Sequence, residues 1–454
     1  MIKTDSRKII PGDTFIAIKG IDTDGHNYIE DAITNGATKI IATKGTYSVD
    51  TLIVDDTQAY LNKYLYDNYK NIISKLKIIG ITGTNGKTTT SFLIYEALNK
   101  LGFKTAYIGT VGFYINGKIR DLPNTTCEIL EMYNMLIEAY EQGCTCVSLE
   151  VSSQGIDMKR LEGITYDYAI FSNLTQDHLD YHKTMENYAL AKQKLFKRLK
   201  PNGIAIVNTD DPYSNYFLLD NNNITYGFNK ADYQITKYEM NHIDTKFTYT
   251  YHNKEYNIVS PLLGKYNVYN MLCTIIILRQ FNVSDIALTV SNLKAPLGRM
   301  ETIKYQTNSI IIDYAHTPDA IYNIITTVKE VTKGNIYVVF GCTGDRDRTK
   351  RPIMTKLVTD LVKKAIITND DPHYEDSKQI VSDMTKGLTN TNYEIIIDRH
   401  EAILKGISLL DTNDVLLILG KGHEEAMVIK DKKVPFNDKN EVLNYLENNE
   451  TINL

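Results

Sequence analysis

Residues 78–91 read IIGITGTNGKTTTS, and this stretch decides the fold. Ile78, Ile79 and Ile81 suit a buried strand. Gly83 and Gly86 let the backbone turn tightly and bring its N–H groups, with those of Thr84 and Asn85, close to phosphate oxygens. Lys87 supplies a cation for terminal phosphates and Thr88 a hydroxyl for Mg²⁺. A helix from Thr89 to Leu101 would then point its positive end at the anion. The ordinary phosphate loop has glycine where this chain has Ile81, with glycines at 80 and 83 instead. A strand–helix turn with an incidental lysine is the bland alternative. Gly-Lys-Thr directly after an apolar strand argues for a nucleoside triphosphate instead.

Working outward, 454 residues exceed one ordinary core and predict about two to four domains. Apolar content of 43%, charged content of 23% and a net charge of −5 are those of a globular protein without a basic patch, which speaks against nucleic acid as the main partner. No apolar run approaches the ~20 residues of a membrane span, and the N-terminus lacks a signal-peptide core. The expectation is a cytoplasmic protein. Cys127, Cys144, Cys146, Cys273 and Cys342 read as buried thiols, with Cys144 and Cys146 on one face of a strand.

Strand and helix patterns alternate in an α/β arrangement of three domains. The first, 1–75, has strand-like pieces at 14–18, 39–42 and 51–54 and helices at 29–35 and 58–74. The second, 76–297, has strand candidates at 78–82, 105–109, 146–150, 168–171 and 204–207. Polar–aromatic alternation over 232–258 reads as an antiparallel addition. The third, 298–454, has candidates at 309–313, 336–341, 364–368, 394–397 and 415–419.

Open α/β sheets place ligands at strand ends, and polar residues gather there. Glu150 closes one strand, where a carboxylate could reach a metal bridging ATP phosphates. His178, in NLTQDHLD, either binds a second metal or is an ordinary helix-start histidine. Asp177 beside it reads as capping or charging the helix N-terminus. DYAH at 313–316, the charged turn at 341–348 with Asp345 and Arg346, and GKGHE at 420–424 follow three further strands. The turn suits phosphates or a carboxylate, with Lys350 and Arg351 nearby.

These motifs resemble, in order and over essentially the whole chain, the Mur ligase family of ATP-dependent amide-bond-forming enzymes. TGTNGKTT, including the missing glycine at 81, NTT at 124–126, EVSS at 150–153, DHLDYH at 177–182, NVYN at 267–270, GRME at 298–301 and GKGHE all fit. The resemblance implies a small N-terminal UDP-binding domain, a central P-loop ATPase domain on a parallel sheet and a C-terminal Rossmann-like domain. It implies ATP and Mg²⁺ as cofactors, UDP-MurNAc-L-Ala-D-Glu and a free amino acid as partners, and a monomer. By that resemblance, Lys192 is carbamylated and shares Mg²⁺ with Thr88, Glu150 and His178. Catalysis falls to Lys87, Glu150, His178 and Lys192. ATP would be held by the loop from Gly83 to Thr89 and by Asn267, Asn270, Arg299, His316, Asp345 and Arg346. Ser6, Arg7, Asn124, Thr125, Thr126, Ser153 and Arg160 would hold the UDP-sugar-peptide. Asp370, Asp371, His373, Gly420 and Glu424 would hold the amino acid.

The chain departs from the family at the amino-acid loop. Members adding meso-diaminopimelate usually carry Asp-Asn-Pro-Arg, but here Asp371 and His373 stand in place of Asn and Arg. Loss of a bidentate cation and gain of an anion favour an ammonium-tipped side chain such as that of L-lysine. Cys127 replaces a common proline and Thr343 a common glycine. Two rivals are a folylpolyglutamate-synthase-like ligase, which the Asp5-Ser6-Arg7 block opposes, and a non-catalytic nucleotide-binding module. The joint presence of Lys87, Glu150, His178 and Lys192 opposes the second.

Overall fold

The computed structural model describes residues 1–20 and 23–450, with side chains described to 447. The final residues of the block expected over 298–454 therefore lie outside the described ones. Three sheets are built on successive parts of the chain. The first has four parallel strands, Ile2–Lys3, Thr14–Ile16, Lys39–Ala42 and Asp50–Ile53. The helix Thr57–Ile73 then packs its Leu61 and Leu65 into the same apolar cluster as the second sheet.

That second sheet has eleven strands. Lys77–Thr82 lies inside it, between Tyr166–Phe171 and Cys146–Glu150, and is parallel to both. A parallel strand covered on both faces needs a near-continuous apolar run, which IIGI provides. Ile78 packs into one core cluster and Ile79 and Ile81 into another across the sheet. The expected addition is present as the antiparallel strands Tyr233–Met240, Thr245–Tyr251 and Lys254–Ser260.

The third sheet runs Glu301–Tyr305, Asn308–Asp313, Val415–Leu419, Ile336–Phe340, Lys364–Ile367, Tyr393–Ile395, parallel except for its first pair. Its apolar runs alternate sides in the same way: Leu417 and Leu419 face one cluster, Leu416 and Ile418 the other. Among the described residues no helix is long and apolar enough to cross a membrane.

Several elements were not predicted from the sequence. They include the strand Asn223–Gly227, the hairpin Gly112–Ile115 with Lys118–Arg120, and the hairpin Ala426–Ile429 with Lys432–Pro435. One cysteine expectation is corrected. All five cysteines are buried and free, but Cys144 and Cys146 pack into opposite core clusters. Cys144 precedes the strand, its N–H still bonded to the Ala139 carbonyl at the end of the helix Ile129–Glu141. Strand alternation therefore does not reach it.

Candidate active site

The ends of the second and third sheets enclose one cleft of about 1440 Å³. The phosphate-loop turn forms its floor. Gly83 has φ +150°, and a Cβ there would sit 1.9 Å from the Ser172 hydroxyl. Gly86, at φ +84°, precedes the helix Lys87–Lys100, two residues earlier than predicted. The loop is held from below: Asn85 N donates to Asn173 Oδ1 (2.9 Å), and Ser172 Oγ donates to Asn85 O (2.7 Å). Thr84 donates to the Thr175 carbonyl (3.1 Å).

Two ammonium groups converge on one carbonyl in this floor. Lys87 Nζ donates to Gly83 O (2.9 Å) and Thr84 O (2.8 Å), and Lys192 Nζ donates to Gly83 O (2.8 Å). Burial pulls the pKa of Lys87 down; burial and then repulsion by Lys87 pull that of Lys192 well below the ordinary lysine value. Lys192 also lies 4.4 Å from the centre of the Tyr188 ring.

Glu150 is fully buried and collects donors. Thr88 Oγ1 reaches its Oε2 at 2.9 Å, the Thr110 hydroxyl reaches the same oxygen at 3.0 Å, and Thr110 N reaches Oε1 at 2.9 Å. The Tyr107 hydroxyl makes a further short bond to it. Arg299 Nη2 donates to Thr88 Oγ1 (3.2 Å), and its guanidinium lies 4.7 Å from the Tyr314 ring. Thr88 and Glu150 form an oxygen donor pair of the hard kind that suits Mg²⁺.

Asp177 does more than its sequence position suggested: its carboxylate accepts from His178 N (3.0 Å) at the helix start. The N-cap of the helix Leu179–His182 is His178 itself, with φ +54°. The buried Asp177 carboxylate also accepts from Lys350 Nζ (3.2 Å), with His178 Nε2 at 3.5 Å and His316 Nε2 at 4.0 Å. Burial would raise its pKa, but these three neighbours outweigh that and hold it well below the usual carboxylate range. Enclosure by the cleft walls pushes both histidines down to about 4, against the pull of Asp177. Both are therefore neutral at pH 7. His316 Nδ1 is 2.7 Å from the Tyr314 carbonyl, which can only accept. Its proton therefore sits on Nδ1, and Nε2 presents a lone pair.

Asn267 and Asn270 line the cleft and also form a chain: Asn270 Nδ2 donates to Asn267 Oδ1 (2.9 Å), and Thr90 Oγ1 donates to Asn270 Oδ1 (3.1 Å). Thr125 Oγ1 pairs with Thr110 Oγ1 (2.9 Å), and Thr126 Oγ1 donates to Glu150 O (3.1 Å). Arg160 Nη1 donates to Thr126 O (3.0 Å), and Ser153 Oγ meets His182 Nε2 (2.9 Å). Asn124, Thr89 and Arg346 also line the cleft. Asp345 is outside the lining; its carboxylate accepts from Tyr374 N (3.1 Å) within a turn. Ser6 and Arg7 are not brought to the cleft either: Arg7 is exposed and paired with Asp5 (2.9 Å).

Elsewhere in the cleft lining, Asp370, Asp371 and Glu424 can bring one oxygen each within 4.8 Å of the others. The fully buried Lys421 occupies their centre, 2.8 Å from Asp371, 2.9 Å from Glu424 and 3.8 Å from Asp370. Burial works against its charge, but the three carboxylates outweigh it and raise the pKa. Asp371 Oδ1 also accepts from Val428 N (2.9 Å). Lys421 offsets one of these three negative charges, so the charge that favoured lysine as substrate is partly compensated within the chain. Gly420 fits because a Cβ there would lie 2.5 Å from Asp370 Oδ2. Lys421, Asp177, Thr110 and His182 were missed as site residues. Lys421, two residues past the strand Val415–Leu419, and Thr110, just past the strand Thr105–Gly109, carried the strand-end signal used for the others.

Three family patterns match the chain: Mur ligase family, catalytic domain, over 1–76; Mur ligase middle domain, over 81–278; and Mur ligase, glutamate ligase domain, over 298–422. A UDP-N-acetylmuramoyl-L-alanyl-D-glutamate–2,6-diaminopimelate ligase of Fusobacterium nucleatum is 40% identical over 451 residues, 96% of this chain and 92% of its own. The namesake from Clostridium botulinum is 39% identical, covering 98% and 94%. A solved structure of a ligase of that name is 33% identical with a TM-score of 0.67, covering 99% of this chain and 95% of its own. The MurF ligase of Thermotoga maritima in complex with ADP shares the fold at 20% identity, TM-score 0.71, covering 92% and 93%.

Proposed function

The chain belongs to the Mur ligase family of ATP-dependent, ADP-forming amino-acid ligases, and we propose that it adds the third amino acid to UDP-MurNAc-L-Ala-D-Glu. The observation that carries this reading is one cleft lined both by the phosphate loop with His178 and Lys192 and by Asp370, Asp371 and Glu424, with Glu150 bonded to Thr88 behind the loop and Lys421 bonded to Asp371 and Glu424. 2,6-Diaminopimelate is the preferred amino acid, as named for the relatives. L-Lysine is the second reading, because His373 stands where those enzymes usually carry arginine.

In this mechanism the D-glutamyl-end carboxylate attacks the γ-phosphorus of ATP, ADP leaves, and an acyl phosphate forms. The amine of the incoming amino acid attacks the acyl carbon, loses a proton and expels phosphate. Lys87 and the loop N–H groups position the phosphates and take up developing charge. Thr88 and Glu150 would hold Mg²⁺, which supplies charge neutralisation at the β- and γ-phosphates. His178, neutral at pH 7, would hold a second ion with Lys192. A neutral Lys192 amine is the form that adds CO₂, losing a proton and becoming a carboxylate-like carbamate. Arg299, His316, Asn267, Asn270 and Arg346 face the nucleotide, and Asn124, Thr125, Thr126, Ser153 and Arg160 the peptide. A cytoplasmic monomer is part of the same reading.

The test is ADP release with UDP-MurNAc-L-Ala-D-Glu and a panel of amino acids. The expected result is ADP formation that requires both substrates and is fastest with diaminopimelate. Absence of amino-acid-dependent ADP with every panel member would overturn the ligase reading of this site.

A further inference from the structure

The hairpin Ala426–Ile429 with Lys432–Pro435 forms one wall of the cleft at its amino-acid end. It is bonded to the loop that carries Asp371 and His373. Val428 N donates to Asp371, His373 N donates to Val428 O (3.1 Å), and Lys430 N donates to His373 O (2.8 Å). Lys433 is paired across the hairpin with Val428. Cross-strand partners share a face, and both residues line the cleft together with His373.

The charges at this end are unequally committed. Lys421 is enclosed by three carboxylates. Arg351, close by in sequence to the charged turn, is taken up by Glu375 (2.8 Å) and Asp383 (2.8 Å). Lys433 is exposed and makes no ion pair among the described residues. It carries a point charge on a flexible stem, beside a cleft wall.

We propose that Lys433 receives the outer carboxylate of the incoming amino acid, and so selects a dicarboxylic diamino acid over a monocarboxylic one. The inference rests on the ligase reading above. The hairpin stands beside the Asp371–His373 loop that would hold the amino acid, and Val428 and Lys433 line the cleft with it. There the outer carboxylate of 2,6-diaminopimelate meets a cation. Lysine presents only an ammonium at that end and is repelled by it. Lys433 thus takes on the charge that an arginine at 373 would have supplied, from a different element.

The experiment compares kcat/KM for 2,6-diaminopimelate and for L-lysine in the full-length protein and in Lys433→Ala, Lys433→Arg and Lys433→Glu. Loss of a charge-assisted hydrogen bond should lower the diaminopimelate-to-lysine ratio about tenfold in Lys433→Ala, mainly through KM for the amino acid. Lys433→Arg should keep the ratio, and Lys433→Glu should lower it further. A ratio in Lys433→Ala equal to that of the unaltered protein would overturn the proposal and leave the ligase reading intact. A native preference for lysine would also overturn it. No turnover of the unaltered protein with any amino acid would instead sink the ligase reading.

Discussion

At the residue scale, the pair of lysines on the Gly83 carbonyl is the feature with the strongest chemical consequence. Two full positive charges so placed in a buried floor repel each other. Burial and this repulsion hold the Lys192 pKa well below the ordinary lysine value, and a carbamate there would convert the repulsion into attraction toward Lys87. Lys192→Ala should therefore lose activity by about 100-fold, the upper range for loss of a group that orients a metal, and added bicarbonate should not restore it. Steady-state ADP release measures this, and near-normal turnover would remove the carbamate from the mechanism. Glu424 gives a pH prediction. Burial, reinforced by Asp370 and Asp371, pushes its carboxyl up to about 7 despite Lys421. Its anionic form is lost as pH falls through that value. If the anion grips the substrate ammonium, KM for the amino acid should rise below pH 7 and level off above it. Glu424→Gln should show a high KM with no inflection near 7; a retained inflection would assign it to another group.

At the element scale, the phosphate loop depends on backbone shape as much as on its lysine. A methyl group at Gly83 would collide with the Ser172 hydroxyl, which itself fastens Asn85, and would also strain a φ of +150°. Gly83→Ala should cost roughly 1–3 kcal/mol of stability and weaken nucleotide binding. A melting curve together with calorimetric titration of an ATP analogue reads both. Unchanged values would mean that the loop relaxes freely. Local elements of this kind were legible because their signals lie within a few residues: IIGI for a doubly covered strand, Gly-Lys-Thr for the turn. The hairpin around Asn116-Gly117 also had a local signal, since Asn-Gly favours tight hairpin turns, and both residues have positive φ. Asp177 was read only in part, for the opposite reason. Its main partner, Lys350, is 173 positions away, and no window of sequence contains both. Asn85 and Asp319, bonded at 2.7 Å, are separated by 234. Lys421 could not be seen to cancel Asp371 until the two strand ends were side by side.

At the scale of the whole molecule, the second and third sheets meet through the catalytic floor itself. Lys350 reaches Asp177, Asp319 reaches Asn85, Arg299 reaches Thr88, and His423 Nε2 lies 3.3 Å from the Thr110 carbonyl. Lys350 and Asp319 come from the starts of the helices Lys350–Leu361 and Pro318–Val331, and Arg299 and His423 from loops beside strands of the third sheet, and all four reach residues around the cleft floor. Bringing the two units together and shaping the nucleotide site are consequently one event. The Lys350–Asp177 pair is the contact to break, because both side chains are less than a tenth exposed. Removing one member of a buried pair leaves a stranded charge at a cost of about 3–5 kcal/mol. Opening the cleft to water relieves that cost, so Lys350→Met should favour an open molecule. The radius of gyration in solution should increase, and affinity for a non-hydrolysable ATP analogue should fall by at least about tenfold. Adding Asp177→Asn to that variant removes the stranded anion, so the double variant should be more compact than Lys350→Met alone. Scattering curves that coincide for all three proteins, with equal nucleotide affinity, would show that this pair does not hold the two units together.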